Sequence, residues 1–176
     1  MQLGTIEPVS IIVPMYNEER NVKLCIESLL ELDYPKKEII VVDDGSSDRT
    51  AEIVSEFPVR LIKLEKKVGP AAARNVGIKA AKGKIIAFTD ADCIVDKHWL
   101  RNLVANYTDS HVGGVGGPFP NFDQKYASKY MDYISLEYLS DGKLVKSKVS
   151  FLSTGNASFR REVLEKVSNF DTSFRT

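Results

Sequence analysis

At 176 residues, 43% hydrophobic and 27% charged, the chain has the composition of one globular domain. A chain of this size buries roughly 70% of its unfolded surface, so disordered tails, fibrous repeats and disulfide-stapled miniproteins are excluded. Twenty-four basic residues balance twenty-four acidic ones. The basic face of a dedicated nucleic-acid binder is therefore absent, while a site that holds an anion through a few placed groups and a metal stays open.

Short β-branched runs alternate with helical patterns. Val9–Val13 reads as a strand stopped by Pro14. A helix opens at Asn17-Glu18-Glu19-Arg20, places Val22, Ile26, Leu29 and Leu30 on one face, and ends at Asp33-Tyr34-Pro35. Glu38–Val42 is apolar on both faces, the pattern of a central parallel strand. The turn Asp43-Asp44-Gly45-Ser46 follows, with Ser47 or Asp48 as the cap of a helix reaching Ser55. Val59–Leu64 is a third strand. A Gly69-Pro70 loop leads into an alanine-rich helix, Ala71–Lys82, closed by Gly83. Ile85–Thr89 is a fourth strand, followed by Asp90-Ala91-Asp92 and a helix over Lys97–Tyr107.

The remainder is less regular. His111–Phe122 is rich in glycine and proline. Tyr126, Tyr130, Tyr133 and Tyr138 recur at helical spacing, and a packed helix is the expectation there, with an acceptor-facing or membrane-facing aromatic stripe as the alternative. Ser150–Ser153 reads as a strand broken by Gly155-Asn156, and Arg160–Val167 as a short amphipathic helix. Met1–Pro8 carries Glu7 and no apolar leader segment, and no apolar run approaches the roughly 20 residues of a membrane span. Cys25 and Cys93 form no metal or disulfide pattern and are expected as thiols in a reducing, cytoplasmic setting. His98 and His111 stand alone.

Four strand–helix repeats imply a doubly wound, mostly parallel α/β sheet with right-handed crossovers. Such sheets bind ligands at the carboxyl ends of their strands, near a switch in strand order. Three predicted strand ends carry Pro14-Met15-Tyr16-Asn17-Glu18, Asp43-Asp44 and Asp90-Ala91-Asp92. Two carboxylates one residue apart after a buried strand can converge on Mg²⁺ or Mn²⁺, which takes few protein carboxylates and completes its shell with water and phosphate oxygens. Alone, the same triplet reads as an acidic helix cap. Four carboxylates on one rim repel one another unless a cation or ligand is present. Tyr16 offers a face for a base, or belongs to an ordinary turn. Arg74, after the small residues Gly69-Pro70-Ala71-Ala72-Ala73, can reach a phosphate or base edge, or lie in a surface ion pair.

Other motifs fail on spacing. Gly77–Lys84 has one residue too many for a phosphate-binding loop and precedes a strand instead of following one. A receiver domain needs its acidic pair after strand one, and a haloacid-dehalogenase-type phosphatase needs Asp-x-Asp-x-Thr there; this strand ends in Pro-Met-Tyr-Asn, and position 94 is Ile.

Taken together, Val9–Glu18, Ile40–Thr50, Gly69–Gly77, Phe88–Asp92 and Gly155–Arg161 through Asn169-Phe170-Asp171 resemble, in order and spacing, the blocks of family 2 glycosyltransferases, inverting enzymes that use nucleotide-diphosphate sugars. The resemblance implies a Rossmann-like GT-A fold with the donor at the carboxyl edge. It places Pro14, Tyr16 and Glu18 beside the nucleotide, Asp44 at the base, Arg74 near the base or ribose, Asp90 at the ribose side, and Asp92, with Asp90, on a Mn²⁺ or Mg²⁺ ion. Asp43 orients the loop, and Gly155 and Asn156 fall on the sugar and acceptor side. Residues 1–108 would be the nucleotide-binding half of a single domain, and 109–176 the start of an incomplete acceptor-side half.

By the same resemblance, the catalytic base is an acidic residue soon after the Ser168-Asn169-Phe170-Asp171 segment, and none follows before Thr176. The expectation is a C-terminally truncated, donor-binding part of a longer enzyme that lacks its base. UDP-sugars are favoured over GDP-sugars. The acceptor, whether polysaccharide, lipid-linked sugar or protein glycan, is not readable, and peripheral association with the cytoplasmic membrane face stays open. A nucleotide-sugar binding module without transfer activity is the alternative.

Overall fold

The computed structural model describes residues 6–117, 134–138, 144–147 and 152–173. In chain order the elements are β1 (Val9–Met15), α1 (Val22–Leu30), β2 (Lys37–Asp43), α2 (Thr50–Ser55), β3 (Arg60–Lys63), α3 (Pro70–Ala80), β4 (Ile85–Thr89) and α4 (Trp99–Ala105). They continue as β5 (Val112–Gly116), β6 (Ile134–Tyr138), β7 (Leu144–Ser147), β8 (Asn156–Arg160) and α5 (Arg161–Lys166). All described strands join one sheet in the order β3-β2-β1-β4-β8-β5-β6-β7.

The first four strands are parallel, with Ile12 opposite Ile40 on one side and Phe88 on the other. From β1 the chain winds outward through β2 and β3, then returns to place β4 on the opposite flank. The order reverses between β1 and β4, and this is where a doubly wound sheet opens a crevice. Strand pleating sends alternate side chains to opposite faces. Ile11, Val13, Val41 and Ala87 pack with α1, α2 and α4, burying Ile26, Leu29, Val54, Leu100 and Leu103. Ile12, Ile40, Val42, Ile86 and Phe88 face α3 and α5 through Ala73, Ile78 and Leu164. Both faces are covered, so the central strands are apolar throughout. Phe88 takes Phe170 edge-on at a centroid distance of 5.3 Å and Phe159 tilted at 6.1 Å.

Several expectations need correction. Pro14 does not stop β1, which runs on to Met15. Val9 N–H and Met15 C=O bond towards the β2 side, so Pro14, one residue out of phase, turns its missing N–H towards β4. The β1–β4 ladder already ends at Ile12, so no ladder bond is lost. The glycine-rich run, for which no element was predicted, holds a buried strand, Val112–Gly116. A Cβ on Gly114 would meet the Phe159 ring at 2.7 Å, so the absence of side chains is what permits this pairing. No strand covers Leu152 and Ser153; β8 begins instead at Asn156, where the chain reaches Thr89 of β4. Tyr138 lies in a strand, not a helix. Tyr126, Tyr130 and Tyr133 fall outside the described residues. Among the described residues no helix is long and apolar enough to cross a membrane.

Gly77 shows how tightly α3 sits on the sheet. In mid-helix, alanine would stabilise by about 1 kcal/mol on propensity alone. Here its Cβ would lie 2.5 Å from Cγ2 of the fully buried Ile12, a branch atom with little freedom to move. We expect Gly77→Ala to destabilise by about 1–3 kcal/mol, read as a lower urea midpoint at unchanged slope. A raised midpoint would mean that the helix can lift off the sheet at little cost.

Candidate functional site

The carboxyl ends of β1, β2 and β4 and the start of α3 enclose a cleft of 450 Å³ lined by Pro14, Met15, Tyr16, Glu18, Asp44, Lys67, Gly69, Pro70, Arg74, Asp90, Ala91 and Asp92. This is an ordinary size for a small-ligand site. The sequence-derived residues Pro14, Tyr16, Glu18, Asp44, Arg74, Asp90 and Asp92 all meet there. Gly155 and Asn156 do not line the cleft. Asn156 pairs with Thr89, one residue before Asp90, and its side-chain oxygen accepts the Trp99 indole N–H at 2.8 Å. Gly155 is buried beside it.

Two local constructions hold the cleft. In the first, the chain after β1 interlocks with the chain after β2. Asn17 N–H donates to Ser46 Oγ at 2.9 Å, Glu18 N–H to Thr50 Oγ1 at 2.7 Å and Glu19 N–H to Asp48 Oδ2 at 3.1 Å. The Asn17 side chain accepts Ser47 N–H in return, from a left-handed backbone with φ of 55° that asparagine tolerates. The N-cap of α2 is Arg49 and not Ser47 or Asp48; Asp48, one residue further out, accepts Thr50 N–H at 2.9 Å and so supports the helix start from outside the cap position.

In the second construction, the Asp44 carboxylate accepts Val68 N–H at 2.7 Å and Gly69 N–H at 2.8 Å. Asp44 is 2% exposed, and each oxygen is matched to a donor. Asp43, also buried, turns its side chain to Ser46 N–H and its carbonyl to Leu64 N–H, which supports the loop-orienting role the resemblance suggested.

The charges divide along the cleft. At one end, Arg74 Nη2 donates to Asp90 Oδ1 at 2.6 Å; the guanidinium is 11% exposed and the carboxylate 42%. The Arg74 Nε–H is buried with no hydrogen-bond partner, a donor left over for a ligand. Asp92 also lines the cleft, and among the described residues its side chain makes only a long contact with Cys93 Sγ at 3.6 Å. At the other end, Lys67 Nζ lies 3.7 Å from the centre of the Tyr16 ring.

Lys67 was missed by the sequence reading. The only signal was a basic pair, Lys66-Lys67, ahead of Gly69-Pro70, and a charge pair before a turn is usually solvated surface. Beneath the site, Cys25 Sγ meets the Asp90 carbonyl at 3.6 Å. Burial, with the nearby Cys93, Asp92, Asp90 and Glu18, pushes its thiol up to about 12, so it is a packing group and not a nucleophile.

A family model described as glycosyl transferase family 2 matches residues 10–168. Glycosyltransferase AglE of Haloferax volcanii is 34% identical over 178 residues, covering 95% of this chain and 57% of its own. The poly-beta-1,6-N-acetyl-D-glucosamine synthase of Staphylococcus epidermidis is 32% identical over 183 residues, covering 97% and 44%. The mannosyltransferase PcManGT of Pyrobaculum calidifontis, solved in complex with GDP-Man and Mn²⁺, superposes with a TM-score of 0.75 at 27% identity, over 94% of this chain and 48% of its own. TarS 1-349 of S. aureus, solved in complex with UDP-GlcNAc, superposes with a TM-score of 0.69 at 27% identity, over 93% and 48%.

The fold is that of the GT-A glycosyltransferases it superposes on. The chain belongs to glycosyl transferase family 2. It spans about half the length of the relatives it matches.

The loop interlock carries a pH signature. Burial by itself would raise the Asp48 carboxyl, but hydrogen bonds from the Thr50 hydroxyl, the Thr50 N–H and the Glu19 N–H outweigh it and hold the group below the usual carboxylate range. Its stabilising contribution is therefore complete above the ordinary carboxylate pKa and fades as pH falls below it. Asp48→Ala should cost about 1 kcal/mol at pH 7. In urea titrations the gap to the parent should narrow as pH falls below the ordinary carboxylate range; a gap independent of pH would show that charge plays no part.

Proposed function

We propose that this domain binds the nucleotide-diphosphate sugar donor of a metal-dependent, inverting glycosyltransferase, with UDP-sugars preferred over GDP-sugars. The carrying observation is the cleft at the β1/β4 strand-order switch. It sets an aromatic ring and a cation at one end, and a paired guanidinium with two carboxylates at the other.

Tyr16 offers its ring to the nucleobase, with Pro14 and Glu18 beside it and Asp44 behind. Arg74 has a spare buried Nε–H for the ribose or a phosphate oxygen. Asp90 and Asp92 fit a divalent cation shared with a ligand. Among the described residues no group of three or more metal-binding side chains forms an all-protein cage, and Mn²⁺ or Mg²⁺ bound with a diphosphate needs only one or two carboxylates. Asp92 would hold the ion, with Asp90 as the second carboxylate once Arg74 turns to the ligand. The cation supplies charge neutralisation of the leaving diphosphate.

Gly155 and Asn156 stand at the adjoining edge of β8, on the side assigned to sugar and acceptor. This agrees with a division into a nucleotide-binding half over 1–108 and an acceptor-side half from 109. A hydroxyl of a polysaccharide, lipid-linked sugar or protein glycan is the acceptor class. We assign no general base among the described residues, so donor binding is the property tested first.

In calorimetric titration, UDP should bind more tightly than GDP, and Mn²⁺ should strengthen UDP binding by at least about tenfold, or about 1.4 kcal/mol. Asp92→Ala should remove the metal-dependent increment. If neither nucleotide binds the parent chain with Mn²⁺ present, the donor-site assignment is wrong.

A further inference from the structure

Lys67 occupies a position that its neighbours dictate. Asp44 takes the N–H groups of Val68 and Gly69, the two residues that follow it. Gly45, at φ of 72°, lets the same loop press close: a Cβ there would stand 2.8 Å from the Lys66 carbonyl carbon and 2.9 Å from the Lys67 nitrogen. The Lys67 backbone is thus fixed by the end of β2, while its ammonium rests on the ring of Tyr16 at the end of β1. Of the two cleft-lining cations, Arg74 is paired with Asp90, whereas Lys67 has no carboxylate partner among the described residues.

Resting on the donor-site reading above, we propose that Lys67 determines nucleobase specificity by donating to a ring carbonyl, so that the cleft selects a keto base over an amino base. Tyr16 and Asp44, the residues flanking it, mark the base end, while Asp90 and Asp92 mark the diphosphate end. An ammonium offers three donors and no acceptor. It suits the carbonyl at position 4 of uracil or position 6 of guanine, and it opposes the amino group that cytosine or adenine presents in the same place. The adjacent Asp44 carboxylate keeps a lone pair on each oxygen beyond the backbone bonds it accepts. Both residues line the cleft, and with the ammonium at the base edge Lys67 supplies a donor and Asp44 an acceptor. The –CO–NH– edge of uracil or guanine matches that pair, and the amidine edge of cytosine or adenine reverses it. On binding, the Lys67 stem stays along the cleft wall and its head moves from the Tyr16 face to the base edge, freeing the ring for stacking.

The test is titration of UDP and CDP, with Mn²⁺, into the parent chain and Lys67→Met. The two ligands differ at position 4 and N3 of the base and share the diphosphate. The parent should prefer UDP. Loss of one charge-assisted hydrogen bond should weaken UDP by about tenfold, leave CDP within about twofold, and collapse the preference. Lys67 is exposed, so the substitution should leave the melting temperature unchanged.

Equal weakening of UDP and CDP would assign Lys67 to the diphosphate and overturn the proposal. So would an unchanged UDP affinity, or a parent chain without preference. Failure of the parent to bind UDP or GDP at all strikes the donor-site reading itself, so the two failures are separable.

Discussion

The carboxylate of Asp44 is the constraint on which the cleft depends. A buried carboxylate is costly unless its oxygens are matched to donors, and charge-assisted bonds to backbone N–H groups are among the stronger matches. Asp44 finds two, on Val68 and Gly69. Residues 65–68 are exposed and have little apolar burial to hold them. The carboxylate therefore substitutes for a hydrophobic anchor. It sets where Gly69 and Pro70 start α3, and hence where Arg74 enters the cleft one turn later. It also sets where Lys67 leaves the loop and reaches Tyr16.

A second tie runs between the loops after β1 and β2, where Asn17, Ser46, Ser47, Asp48 and Thr50 exchange backbone and side-chain bonds. Regular secondary structure cannot supply these bonds, because the strands have ended and the helices have not begun. Short polar side chains do so instead, as is usual for turn-forming Ser, Thr, Asn and Asp. The result is a rim of fixed backbone that brings an aromatic ring, two cations and four carboxylates around one cavity. The Arg74–Asp90 pair is shielded on the arginine side and open on the aspartate side. A ligand arriving from solvent therefore meets the carboxylate first and the guanidinium behind it.

Much of this was legible in the sequence. The strand and helix patterns up to α4 depend on local spacing, and the period of two or 3.6 in the apolar residues carries that information directly. The carboxyl-end rule for doubly wound sheets then pointed to Pro14–Glu18, Asp43-Asp44 and Asp90–Asp92, and the Gly69-Pro70 motif with the family resemblance added Arg74 and the individual roles. The antiparallel half was much less legible. Val112–Gly116 has almost no side chain to show a period, and it is a strand because Gly114 and Gly116 let Phe159 and Leu152 pack against its backbone. Pro14 read as a terminator because sequence does not reveal that the neighbouring ladder has already ended on the side its ring faces.

The sequence by itself determined the periodic elements, the parallel direction of the first four strands, and which carboxylates and cations were available near their ends. These are consequences of residue type and spacing along the chain. Only the tertiary structure decided how those groups are partnered. Asp44 is committed to a loop 24 residues away, Arg74 to Asp90, Asn156 to Trp99, and Lys67 to the face of Tyr16. Each of these contacts joins residues well separated in sequence, and local preference carries no information about which distant partner a buried charge or a flexible ammonium will meet. That choice is made by packing, when the strand ends converge and every buried polar group must find its match.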